Sequence, residues 1–167
     1  MAGWEKLESE LKEAIEGEVR FDPFAMLPFI GYNVGDYFAH WLEMGAGADP
    51  EKLPRMYWVN WFRKDIDGDF MWPGFGENSR ILKWVMERLD GTAEAEPNAI
   101  GLVPGLDSID RDGLNLTDDD MAALLAVDEN AWQHEADLIE QHYTRAGERL
   151  PEELQNQLAD LRRRLST

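Results

Sequence analysis

Between Trp58 and Arg80 six large aromatics, Trp58, Trp61, Phe62, Phe70, Trp72 and Phe75, crowd around Pro73, Gly74, Gly76 and Asn78. A helical pattern follows at once. Aromatic faces offer stacking area, a helix start offers the positive end of a dipole, and an amide side chain both donates and accepts hydrogen bonds. The combination suits a flat, hydrogen-bonding ligand such as a nucleobase. Gly74 and Gly76 carry no Cβ, so the backbone there can come close to such a ligand. Aromatics at strand spacing also serve as ordinary core, and burial decides between the two uses.

Other chemistry is thinly represented. Asp65-Ile-Asp-Gly-Asp has the carboxylate spacing of a calcium loop, but its glycine is misplaced and Gly76 stands where the twelfth-position Glu would be. His134 and His142 lie eight residues apart, roughly 12 Å along a helix, too far to share a metal. His40 reads as a structural histidine beside Trp41. With no cysteine, thiolate catalysis, disulfides and thiolate zinc sites drop out. No pair of carboxylates stands apart as an acid–base couple, and no residue is assigned a catalytic role.

The elements that must position the aromatic segment follow from spacing and punctuation. Trp4, Leu7, Leu11 and Ile15 predict an amphipathic helix over 4–16, closed by Gly17. Val34, Phe38, Trp41 and Leu42 predict a second helix over 33–44, ended by the loop from Gly45 to Pro50. Met56–Phe62 reads as a strand, Asp65–Asp69 as a turn and Phe70–Trp72 as the return strand of a hairpin. Helix resumes from about Ser79 to Leu89, and Ile100–Val103 forms a further short strand. Thr117 and Asp128 suit N-caps, and Pro151 suits the first turn of a last helix. Arg162, Arg163 and Arg164 then fall where cations oppose the negative end of that helix. The expected fold is mixed α/β (α+β): a small sheet with a hairpin, flanked by helices, and a helical C-terminal third.

The chain of 167 residues carries a net charge of −18, unevenly placed. Residues 1–51 hold 11 acids and 3 bases, and residues 89–160 hold 18 and 3. Residues 52–88 reverse the balance, with 7 bases to 5 acids. An anionic ligand is tolerated only near the aromatic segment, and nucleic acid is an unsuitable partner. No apolar run reaches the roughly 18 residues of a membrane span and no leader pattern opens the chain, so a cytoplasmic protein is expected. Self-repulsion among 34 acids and 16 bases is screened over about 8–10 Å at physiological ionic strength. The melting temperature is therefore expected to rise from dilute buffer to molar potassium chloride. A flat or falling value would contradict this.

The aromatic segment, with Asp22-Pro-Phe-Ala-Met and Pro28-Phe-Ile-Gly-Tyr-Asn upstream, resembles the C-terminal part of GTP-dependent phosphoenolpyruvate carboxykinase. The resemblance covers residues 18–167 and is strongest from 21 to 89; residues 1–17 read as an added amphipathic helix. It implies a site for the guanine base of GTP or GDP. Phe62 and Phe75 would sandwich the purine, Trp61 and Phe70 would close the pocket, and Asn78 would read the base edge. The backbone of Phe75, Gly76, Glu77 and Asn78 would run close to it. Stacking contributes roughly 1–3 kcal/mol per base but does not tell purines apart. An amide carbonyl can accept from guanine N1–H, which adenine lacks.

The resemblance also implies the reaction of the intact enzyme, the gluconeogenic exchange of oxaloacetate and GTP for phosphoenolpyruvate, carbon dioxide and GDP, with manganese as its metal. This sequence has no Gly-Lys-Thr, and the family's manganese ligands and substrate arginines lie upstream of the matched part. No turnover is expected from this chain by itself. The missing catalytic lobes are its expected partner. The alternative is a non-catalytic paralogue or engineered fragment acting as a binding module.

Overall fold

The helix over Val34–Ala46 (α1) begins where Asn33 leaves the helical conformation and its Oδ1 accepts from Gly35 N at 2.7 Å. In this computed structural model, which describes Asp22 and residues 26–166, the other helices are α2 (Asn78–Leu89), α3 (Asp118–Leu125), α4 (Glu129–Tyr143) and α5 (Glu152–Arg164). A two-residue antiparallel ladder joins β1 (Glu96–Pro97) to β2 (Leu102–Val103), pairing Glu96 with Val103 and Pro97 with Leu102. The fold is mixed α and β, helix-rich with a small sheet. The helix expected over 4–16 lies outside the described residues.

The chain forms two units. The first comprises the chain up to Leu53 together with Gln133–Arg163. Within it Asn33 does double duty: its Nδ2 donates to Ala146 O at 3.2 Å while its oxygen caps α1. Gly35 is buried against the backbone of Arg149, and a Cβ there would lie 2.4 Å from Arg149 O. Only glycine fits. Arg149 pairs with Asp36 in the first turn of α1, and Asp22 Oδ1 accepts from Leu27 N at 3.0 Å. Ala136 and Leu158 are buried, and Arg162 reaches from α5 to Asp137 at 2.8 Å and Glu140 at 2.9 Å on α4.

The arginine triplet near the end of α5 was expected to oppose the helix dipole. They do occupy its final turn, and there Arg162 pairs with α4, Arg163 pairs with Asp160, and Arg164 Nε donates to Ala99 O at 2.8 Å.

The second unit comprises Pro54–Trp132 with Arg164–Thr167. Its core is Trp72, Trp84, Ile109 and Met121, packed around by Trp61, Ile81, Val85, Leu116 and Leu124. α3 opens with a reciprocal cap: Thr117 Oγ1 accepts from Asp120 N, and Asp120 Oδ2 accepts from Thr117 N. Arg63 Nη1 donates to the carbonyls of Leu124 and Ala126 at 2.9 and 3.1 Å, closing the other end of α3. The hairpin expected around Asp65–Asp69 shrinks to one bridge, Lys64 with Phe70, steadied by Met71 N donating to Arg63 O. Residues 56–62 form no strand. Pro54–Asn60 runs without regular structure, and Asn60 Oδ1 accepts from Phe62 N, a local turn that interrupts the run. Met56 and Trp58 stand 95% and 97% exposed on it.

Three groups give stability the same pH dependence. Burial lowers the pKa of His142, aided by the charge of Arg145 and opposed by Asp22. Hydrogen bonds from Thr117 lower Asp120, and Arg162 lowers Glu140. Each folded value lies below its unfolded one, so each contribution is complete above the unfolded pKa and lost as pH falls through the folded one. The expected melting curve falls in two steps, the first below about pH 6.5 and the second below about pH 4. His142→Gln should remove the first step; a first step that persists in that variant would assign it elsewhere.

Candidate functional site

Pro73, Gly74 and Phe75 turn the chain from the hairpin into α2. Gly74 adopts φ 75° with ψ −163°, a conformation open essentially to glycine. Phe75 follows with φ 50°, the only non-glycine residue among those described to enter the left-handed region. A single 3-10 turn over Phe75–Glu77 then runs into α2, with Glu77 N donating to Gly74 O at 3.1 Å. A Cβ on Gly76 would meet nothing within 4 Å. The ground above Gly76 is open.

The expected site residues separate into two sets. Phe62, Phe70 and Phe75 are exposed, at 72%, 60% and 95%. The rings of Phe62 and Phe70 lie 6.1 Å apart, tilted by 59°, and Lys64 Nζ sits 5.0 Å over the Phe70 ring. Phe75 pairs with no other ring among the described residues. Trp61, expected to close the pocket, is partly buried and packs against the core of Trp72 and Trp84.

Asn78 and Glu77 are held from behind. Asn78 Oδ1 accepts from Trp72 Nε1 at 3.0 Å, so the oxygen expected to meet a base already has one partner and one lone pair left. Glu77 Oε2 takes Arg80 Nε at 2.6 Å. Arg80 also donates to the carbonyls of Asp110 and Asp112 at 2.9 and 2.8 Å. The bond to Glu77, opposed by burial and aided by the charges of Glu77, Asp110 and Asp112, raises the guanidinium's pKa. It is a fixed cation at the start of α2. Sequence reasoning missed Trp72 and Arg80 as parts of this site, since their partners lie six and about thirty residues away with no periodic signal.

Two other expectations meet the geometry. Asp65 Oδ1 accepts from Asp67 N at 3.0 Å and Asp69 N at 2.9 Å, so this carboxylate organises its own turn. Among the described residues no group of three His, Asp or Glu side chains is placed to hold a metal ion. A cleft of about 450 Å³ lies elsewhere in the second unit, lined by Glu96, Pro97, Val103, Leu125 and Arg164 among others, and none of the expected site residues borders it.

The family model "Phosphoenolpyruvate carboxykinase C-terminal P-loop domain" matches residues 5–164. The chain belongs to this family. It is 51% identical over 149 residues to the phosphoenolpyruvate carboxykinase [GTP] of Renibacterium salmoninarum, covering 89% of this chain and 24% of that protein. The enzyme of the same name from Paenarthrobacter aurescens is 49% identical over 149 residues, 89% of this chain and 24% of the relative. That from an Arthrobacter species is 46% identical over 163 residues, 96% of this chain and 27% of the relative. The chain thus spans about a quarter of the length of these GTP-dependent carboxykinases and corresponds to their C-terminal portion. No helix among its described residues is long and apolar enough to cross a membrane.

Proposed function

We propose that this chain is the guanine-binding C-terminal portion of a GTP-dependent phosphoenolpyruvate carboxykinase. In the whole enzyme oxaloacetate and GTP would give phosphoenolpyruvate, carbon dioxide and GDP in the cytoplasm. The parts that hold phosphate, metal and oxaloacetate would come from the catalytic lobes, the proposed partner of this portion. No catalytic step is assigned to the residues present here, and by itself the chain is predicted to be inactive.

One observation carries the reading. Phe75 leaves its ring 95% exposed and holds a backbone conformation that costs a non-glycine residue roughly 1–2 kcal/mol. Neither packing nor local backbone preference explains a phenylalanine there. A stacking ligand does. Phe62 and Phe70 offer further ring faces, and Asn78 presents an amide at the start of α2. Lys64 and Arg80 supply cations in an otherwise acidic chain.

Calorimetric titration of the purified chain with guanosine, GDP, GTP and ADP tests the proposal. Contacts to the base alone should give high-micromolar to millimolar affinity, about 4–6 kcal/mol. GDP should bind more tightly than ADP, and the number of phosphates should matter little. Equal binding of ADP and GDP would refute the guanine reading. A hundredfold preference for GTP over guanosine would require a phosphate site among these residues.

A further inference from the structure

Resting on that guanine reading, we propose that Trp72 is the positioning residue that gives the site its choice of purine. It would do so by holding the Asn78 amide in one of its two orientations.

The pairing edges of the two bases are opposites. Guanine presents an acceptor, O6, next to a donor, N1–H; adenine presents a donor, N6–H, next to an acceptor, N1. An asparagine amide is itself an acceptor beside a donor. Turned one way it matches guanine, and rotated by half a turn about its last side-chain bond it matches adenine. An amide free to rotate reads both bases.

Asn78 is not free to rotate. The indole N–H of Trp72 is a donor with no acceptor capacity, so the amide atom 3.0 Å from it must be the oxygen. Chemistry, not the shape of the side chain, fixes the assignment. Rotation would set the amide N–H groups against the indole N–H and leave that donor unpaired. Trp72 is buried in the core of its unit, where water is a poor substitute, so the rotated form is penalised. The second lone pair of Oδ1 and the two amide hydrogens remain to meet a base. The preference for guanine thus originates one residue behind the contact surface, in a side chain that touches no ligand.

The test compares GDP and ADP binding to the unmutated chain and to Trp72→Phe, which keeps an aromatic ring in the core and removes the donor. The ratio of the two dissociation constants is expected to fall about tenfold, chiefly because ADP binds more tightly than before. Simple damage to the site would weaken both nucleotides and could not improve adenine. An unchanged ratio would overturn the proposal. Should Trp72→Phe fail to fold, hydrogen exchange of the Trp72 indole N–H in the unmutated chain decides. Protection retained on adding GDP supports the proposal, and protection lost would show Asn78 leaving Trp72 to meet the base. If the unmutated chain does not prefer GDP, the guanine reading itself has failed, and that is seen before any variant is made.

Discussion

Gly35→Ala is expected to destabilise the first unit by about 3 kcal/mol, although alanine is the better helix former by up to about 1 kcal/mol. The added methyl would lie 2.4 Å from Arg149 O and 2.7 Å from its carbonyl carbon, and 2.9 Å from the Asn33 oxygen that caps the helix. Two of these three atoms are backbone and cannot rotate away. Either the segment around Arg149 lifts off α1, or Asn33 gives up its cap and its bond to Ala146. For a chain of this size the loss corresponds to a melting temperature lower by roughly 6–12 °C. Arg149→Ala in the same background should not restore it, because the obstacle is main chain. A melting temperature within a degree or two of the unmutated value would mean that this segment does not lie against α1.

Phe75→Gly is expected to move stability and binding in opposite directions. Glycine adopts φ 50° without strain, so the fold should gain up to about 1 kcal/mol, which the greater freedom of the unfolded chain partly offsets. The same change removes an exposed ring, so purine binding should weaken about tenfold to a hundredfold, for GDP and ADP alike. Phe75→Ala separates the effects: it loses the stack and keeps the strain. Thermal melts with nucleotide titrations followed by magnetic resonance read both quantities. If Phe75→Gly bound GDP as well as the unmutated chain, the ring would have no part in recognition and its conformation would need another cause.

The helices were legible because their signals are local. Thr117 and Asp128 each cap the helix that begins beside them, and Asp128 Oδ1 accepts from Ala131 N at 3.0 Å as its position suggested. The strand read over 56–62 failed because propensity speaks only for the segment itself. A strand needs a neighbour, and Asn60 turns the chain before one is met. The aromatic motif singled out one segment, yet could not say which rings face inward. Trp61 and Phe62 are adjacent and take opposite sides. The supports of the candidate site were invisible for a related reason: Trp72 meets Asn78, and Arg80 meets the Asp110 and Asp112 carbonyls, only after the chain has folded back on itself.

The stretch from Pro54 to Asn60 has a consequence for handling the molecule. It pairs with no strand among the described residues and displays Met56 and Trp58 almost wholly to solvent. Such a segment invites self-association. What keeps copies apart is the chain's own net charge of −18, a long-range repulsion between whole molecules. Potassium chloride relieves the repulsion within each molecule and weakens the repulsion between molecules by the same screening. Conformational and colloidal stability therefore respond to salt with opposite signs, and the preparation that melts at the highest temperature is the one with the least electrostatic protection against clumping.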